Sequence, residues 1–377
     1  MSLTLLGTNT MAGNGKNEQL IAHKDYLYVG NREPGGGTVI VDVSNPRSPE
    51  VCGLLPGYKG TISPKVQVVD DLLLVNYERR RDKDVEAERL GFGVFDLKDP
   101  KNPREIAYYH LGGRGVHRTW YSGEEKYAFI SGIPEGFVNR MLVTFDMSDP
   151  AKPREVSRWW LPGQWKGGGE TPDWPDTMEC QLHHPVVKGN RAYLGMWDAG
   201  VYILDISDIA KPKEISHLRW APKAGGRSHT ALPLPGRNLL AAIEECETTP
   251  DQERPKSIRV IDISDETDMK VLSEIYSPTE NPHRGNRVGP HNLHESRRPN
   301  SFMSENLIFA TFFGAGLRIY DISDPRAPRE VDSFIPAPEH AAHPFQATDV
   351  YVQKNGLVFL SDRSGNGIYV LEYDGVK

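Results

Sequence analysis

Residues 316–334, GLRIYDISDPRAPREVDSF, decide the fold. A glycine turn leads into the apolar, β-branched run LRIY, which reads as a strand. Asp-x-Ser-Asp-Pro follows as a turn, because Asp and Ser side chains bond nearby backbone N–H groups while Pro fixes φ and removes a donor. REVDSF then reads as a further strand. The same unit recurs as IVDVSNPRSPE around Asp42, VFDLKDPKNPRE around Asp96, TFDMSDPAKPRE around Asp146, LDISDIAKPKE around Asp205 and IDISDETDMK around Asp262, with a degenerate copy, VLEYDG, at Glu372. Successive separations are 54, 50, 59, 57, 59 and 51 residues, a period that suits four short strands per repeat and excludes helical solenoids of shorter period. Runs such as RAYLGMW, NLIFATFF and GLVFLSD supply the strand before each unit. The repeated Asp organises a turn and carries no catalytic role.

The ends of the chain extend the pattern. The last repeat stops after its third strand, IYVLEYDG, while LTLLG at residues 3–7 is a lone apolar run ahead of the first repeat. The expected architecture is therefore all-β: a seven-bladed β-propeller closed by the N-terminal strand, with residues 1–377 as a single domain. Closure would pair a sheet edge that otherwise invites association. A composition of 38% hydrophobic and 25% charged residues is that of a globular protein. The net charge of -7 argues against nucleic acid as a partner, since phosphate binding needs a dense Lys/Arg face. No segment approaches the ~20 apolar residues of a membrane span, and no signal peptide is evident, so a cytoplasmic location is expected. Cys52, Cys180 and Cys246 are odd in number and lack metal-type spacing, which argues against disulfides.

The chemistry is expected on the innermost strands. Aligning them on the apolar run that follows each puts Gln19, Lys65, His117, His184, His229, His291 and Asp349 at one height. Four successive repeats thus bring imidazoles to one axis, within reach of a single ion. The expected ligands are His117, His184, His229 and His291, holding one transition metal ion (Fe, Cu, Zn or Mn). An all-nitrogen set without thiolate leaves room for an open coordination position. His183, next to His184 on a strand, is expected to face away, as is His294 relative to His291. Asp349 and Gln19 are candidates to orient a ligand imidazole or bind water, and Lys65 to hold an anionic substrate or stabilise an oxyanion. Second strands end at the same face with Arg32, Glu78, Arg79, Trp197, Asp198, Glu244, Glu245, Phe313 and Arg363. Glu244 and Glu245 point to opposite faces, so only one can approach the cavity, as a general base. Arg32, Arg79, Trp197, Arg363 and His343 are candidates to hold a carboxylate or phenolate substrate. Loops 79–91, 163–182, 246–257 and 279–290 are long enough to cover the entrance, and GQWKGGGETPDWPDTMECQLHH, with Trp165 and Trp174, reads as a lid.

The GLRIYDISDPRAPREV and GVYILDISDIAKPKEI units resemble LVIVD repeats, and the similarity covers nearly the whole chain. That resemblance implies a β-propeller and says little about activity. The histidine pattern resembles that of carotenoid cleavage oxygenases, whose propeller iron is held by four axial histidines, and more loosely that of selenium-binding methanethiol oxidases. Oligogalacturonate lyase is a further histidine-metal propeller. The apolar, membrane-associating entrance of the carotenoid enzymes is not evident in this sequence. What these likenesses imply is a metal-dependent enzyme acting on a small aromatic or anionic molecule, with oxidase or oxygenase chemistry ahead of lyase or hydrolase chemistry. A non-catalytic propeller that binds partner proteins is the alternative.

Overall fold

The computed structural model describes residues 2–13, 15–79, 85–220, 227–247, 255–278, 287–296 and 300–376. The loops around 79–91, 246–257 and 279–290 run partly outside these residues. The fold is all-β, and one four-strand antiparallel meander is its building block. Asn17–His23, Tyr26–Asn31, Thr38–Asp42 and Glu50–Leu55 form the first such unit, paired in that order. Gly115–Ser122, Tyr127–Ile133, Met141–Asp146 and Arg154–Trp159 repeat it, as do Cys180–Lys188, Arg191–Trp197, Val201–Asp205 and Lys213–Leu218. Backbone pairs such as Gly115 with Glu78, Ser228 with Trp197 and Asn31 with Ser63 join neighbouring units. The segment carrying His291 joins its unit through isolated bridges, Val288 with Phe313 and Leu293 with Ala310, and the His291 N–H donates to the carbonyl of Thr311 at 2.9 Å.

The turn chemistry expected of the repeat is present. Asp42, Asp96, Asp146, Asp205, Asp262 and Asp321 each accept the backbone N–H two residues on, at 2.8 to 3.0 Å. Asn45, Asp99, Asp149, Asp208, Asp265 and Asp324 repeat the same bond three residues further along. Two consecutive side-chain-capped turns thus reverse the chain between third and fourth strands.

Apolar side chains fill the space between units. One cluster packs Leu20, Tyr28 and Val39 of the first unit against Val66, Leu73 and Tyr77 of the next and Phe359 and Val370 near the C-terminus. Units approach closely where a glycine permits it. A Cβ on Gly195 would lie 2.6 Å from the carbonyl oxygen of His229, so no side chain fits there. Gly30 meets Pro64 in the same way. Leu3–Asn9 runs antiparallel to Ile368–Tyr373, from Leu3 opposite Tyr373 to Asn9 opposite Ile368. The three cysteines are free thiols, with Cys180 and Cys246 buried. No helix among the described residues is long and apolar enough to cross a membrane.

Candidate metal centre

The innermost strands share one irregularity, and it determines which side chains reach the axis. Their pairing with the second strand resumes at Arg118 opposite Ser131, His184 opposite Gly195, Thr230 opposite Ile243 and Asp349 opposite Ser361. The register shifts just before each of these residues, which leaves His117, His183, His229 and Thr348 out of the ladder. A bulge of this kind bends the strand and re-aims the extra residue. Of the re-aimed residues His117 and His183 line the cavity, and His229 packs its ring against that of His183.

His117, His183, His229 and His291 are the imidazoles the structure brings together. His117 Nε2 lies 2.8 Å from His183 Nε2. The rings of His183 and His229 are 3.6 Å apart, and those of His229 and His291 4.9 Å. His184 does not join them, which corrects the expected set. Its Nδ1 turns to Glu295 Oε1 at 3.2 Å and Thr230 Oγ1 at 3.3 Å, because the bulge reverses the alternation that strand geometry alone would give. His183, expected to face away, takes the axial place.

The opposite ring nitrogens are anchored. His117 Nδ1 lies 2.8 Å from Glu78 Oε2, His229 Nδ1 2.8 Å from Thr230 Oγ1, and His291 Nδ1–H donates to the carbonyl of Thr348 at 2.6 Å. Such bonds fix ring orientation and tautomer in the way metal-ligating histidines require. Burial is the largest influence on all four rings: it pushes His117 down to about 3, with Arg140 adding to the effect. His183, His229 and His291 are likewise held well below the ordinary value by burial and neighbouring positive charge. Neutral imidazole is the ligating form. Burial opposes ionisation of Glu78, but His117, Arg140 and Arg32 beside it hold its carboxyl at about 2.

His183 Nδ1 and His229 Nε2 are buried without a hydrogen-bond partner among the described residues. One ligand atom each from His183, His229 and Glu245 lies within 4.8 Å of the others. Glu245 is the member of its pair that reaches this cavity, with Oε1 3.7 Å from His291 Nε2. Glu244 faces the other way, bound to Arg259 at 2.9 Å and to Ser257. The cavity encloses about 140 Å³, lined also by Arg32, Arg79, Arg140, Trp197 and Arg363.

Glu18, which the sequence reading passed over, organises the cation side. Arg363 grips it with two nitrogens at 2.6 and 3.0 Å, Lys65 Nζ donates at 3.0 Å, and Arg32 stands 3.5 Å away. Burial would raise the Glu18 pKa, yet Arg363, Lys65 and Arg32 hold it well below the usual carboxylate range. Arg32, Lys65 and Arg363 are therefore committed to an internal carboxylate, where the sequence suggested substrate contacts. His343 is exposed and does not line the cavity; its backbone N–H donates to Asn366 Oδ1.

Trp197 and Phe313 hold equivalent second-strand ends and share an unusual conformation, with φ of 46° and 45°. Bulky residues rarely adopt this region, at a cost of about 1–3 kcal/mol each. Trp197 stacks beside His183, with ring centres 6.3 Å apart and planes at 12°, between the guanidinium groups of Arg140 and Arg227. Phe313 backs His291 at 4.7 Å, between Arg287 and Arg363. The strain thus falls where two axial imidazoles are held in place.

Beneath the cavity the channel is plugged. Arg118, buried, pairs with Glu295, and Asp349 accepts the backbone N–H of Leu20 at 3.0 Å. Burial pushes the Asp349 carboxyl up to about 7 and Lys65 down to about 8.

The LVIVD repeat model matches residues 14–54, 186–218 and 302–335. No curated protein matches the chain. Among solved structures, a protein from Lactobacillus plantarum is 12% identical with a TM-score of 0.63, covering 99% of this chain and 92% of its own. The Cps50 (Swd1) β-propeller domain of Myceliophteria thermophila is 13% identical with a TM-score of 0.62, covering 98% and 99%. U3-55K is 7% identical with a TM-score of 0.64, covering 99% and 98%. At these identities the likeness is one of fold. The chain is a β-propeller carrying LVIVD repeats.

Proposed function

We propose that the protein is a metal-dependent enzyme acting on a small aromatic or anionic molecule, and that His183, His229 and Glu245 hold its one transition metal ion, with His117 and His291 completing the site. The observation that carries this reading is the pair of buried, unpartnered imidazole nitrogens beside a carboxylate. Desolvating such groups without a partner costs about 1–3 kcal/mol each, and an ion removes that cost. Two histidines and one carboxylate with open positions suit iron(II) and the activation of dioxygen, which puts oxidase or oxygenase chemistry first. The axial histidines of the carotenoid cleavage oxygenases and methanethiol oxidases offer a likeness in pattern. Zinc or manganese on the same donors would favour lyase or hydrolase chemistry.

The same proposal takes the whole chain as one seven-bladed ring, with Leu3–Asn9 serving as outer strand of the last blade. Its support is the register of that strand against Ile368–Tyr373.

Elemental analysis of protein purified without a metal-affinity tag tests the assignment. Close to a single ion per chain is expected in the wild type, with a large drop in His183→Ala, His229→Ala and Glu245→Ala at unchanged circular dichroism. Oxygen uptake by the loaded protein with candidate phenolic and carboxylic substrates then separates redox from hydrolytic chemistry. A metal-free wild type would leave a non-catalytic propeller that binds partner proteins.

A further inference from the structure

Beside the axial cavity lies a larger groove of about 660 Å³, within the ~300–1,000 Å³ that small-molecule sites occupy. The two are continuous, since Glu78, Arg79 and Arg140 line both. One wall is built by the segment that follows residue 163, and that wall is firmly set. Gln164 is buried, with its amide donating to the carbonyls of Arg140 and Cys180. Glu170 accepts from Trp160, Gly163 and Trp165. The segment places Lys166, Trp174 and Met178 along the groove.

The charges in this groove are unevenly matched. Glu78 is paired with His117, and Glu179 with Arg227. Among the described residues Arg79, Arg114 and Lys166 make no ion pair or side-chain hydrogen bond, and the groove's lining adds one carboxylate without a described partner, Asp176. Arg79 and Arg114 issue from adjoining backbones, since the Arg79 N–H donates to the Arg114 carbonyl at 2.9 Å. Two guanidinium groups and an ammonium thus converge on a space whose remaining walls include Trp174, Met178 and Ile133. Guanidinium forks match carboxylates, and an aromatic and thioether wall matches an apolar body.

We propose that this groove binds an amphipathic organic anion, an aromatic or aliphatic body carrying a carboxylate, with its acid group on Arg79, Arg114 and Lys166. The opposite end of the ligand reaches the axial cavity past Arg140. The proposal rests on the metal-enzyme reading only for which end reacts; binding itself needs no ion.

The experiment uses protein stripped of metal, with 4-biphenylcarboxylate and its neutral carboxamide as probes, followed by calorimetry and by tryptophan fluorescence. The carboxylate should bind with an affinity that falls as salt is raised, and at least tenfold more tightly than the carboxamide. The triple variant Arg79→Gln, Arg114→Gln, Lys166→Gln should lose at least tenfold for the carboxylate and leave the carboxamide unchanged. These positions are exposed or half-buried, so the fold is retained, and the variant's metal content should equal that of the wild type. Equal binding of the two probes, wild-type affinity in the triple variant, or no carboxylate binding at millimolar concentration would overturn the proposal. Absence of metal from the wild type would instead overturn the enzyme reading and leave the binding result standing.

Discussion

Replacing His183 and His184 separately by alanine gives opposite outcomes. His183 is neutral, and its Nδ1 has no partner among the described residues. Truncation removes only the 2.8 Å contact to His117 and some ring stacking, so stability should fall by about 1 kcal/mol, the net worth of a single hydrogen bond. Metal affinity should fall at least 100-fold, or about 2.7 kcal/mol, since a direct ligand is worth no less than an outer partner of one. His184 reverses both numbers. It is fully buried against Glu295, Thr230 and Trp120, and its loss leaves a cavity and a carboxylate short of a partner, worth about 2–4 kcal/mol. Its effect on metal affinity should stay within a few fold. Anaerobic calorimetric titration with iron(II), manganese(II) and zinc(II), run beside urea denaturation, reads both quantities. Metal loss in His184→Ala with retention in His183→Ala would refute the bulge argument.

Glu18→Gln should destabilise the protein by about 3–5 kcal/mol, because it strands the buried cations Arg363 and Lys65 without a counter-charge; a change under 1 kcal/mol in denaturant would show that Glu18 does not neutralise them. Deleting residues 2–9 should expose the edge of Ile368–Tyr373 and lower the melting temperature or cause aggregation, and a truncation that melts and sediments like the full chain would count against a closing strand. Hydrogen bonds from Ser148 and Arg154 hold the Asp146 carboxyl down at about 2, below its unfolded value of ~3.9, so its contribution is present above pH 4 and lost as pH falls toward 2. Asp146→Asn should therefore flatten the fall in melting temperature between pH 4 and 2, and an unaltered slope would disprove the link.

The repeating meander was legible because strand and turn chemistry recur with one period: an Asp two residues before a Ser makes the same capped turn wherever it occurs. The axial residues were legible only in part. His117, His229 and His291 were aligned at the height where the structure has them, whereas His184 was chosen over His183 by strict alternation. A bulge breaks alternation, and the sequence carries no marker for it beyond the doubled His183–His184 itself. Glu18 escaped for the same reason, one residue ahead of the aligned Gln19. Arg32, Lys65 and Arg363 were placed on the right face but given an external partner, since a carboxylate hundreds of residues away in the chain cannot be matched to a guanidinium by pattern alone.

Glu18 and Arg363 also set an order in time. On a ribosome adding roughly 5–20 residues per second, Glu18 emerges many seconds before the arginine that grips it, and Leu3–Asn9 waits equally long for Ile368–Tyr373. During synthesis the early segment carries a carboxylate that has only Arg32 and Lys65 of its three cations, and a strand edge still without its partner. On the metal reading proposed above, the donors His117, His183, His229, Glu245 and His291 all emerge ahead of Arg363, so a chain truncated before residue 363 would keep the donors for an ion and lack the guanidinium that completes the chamber's cation side.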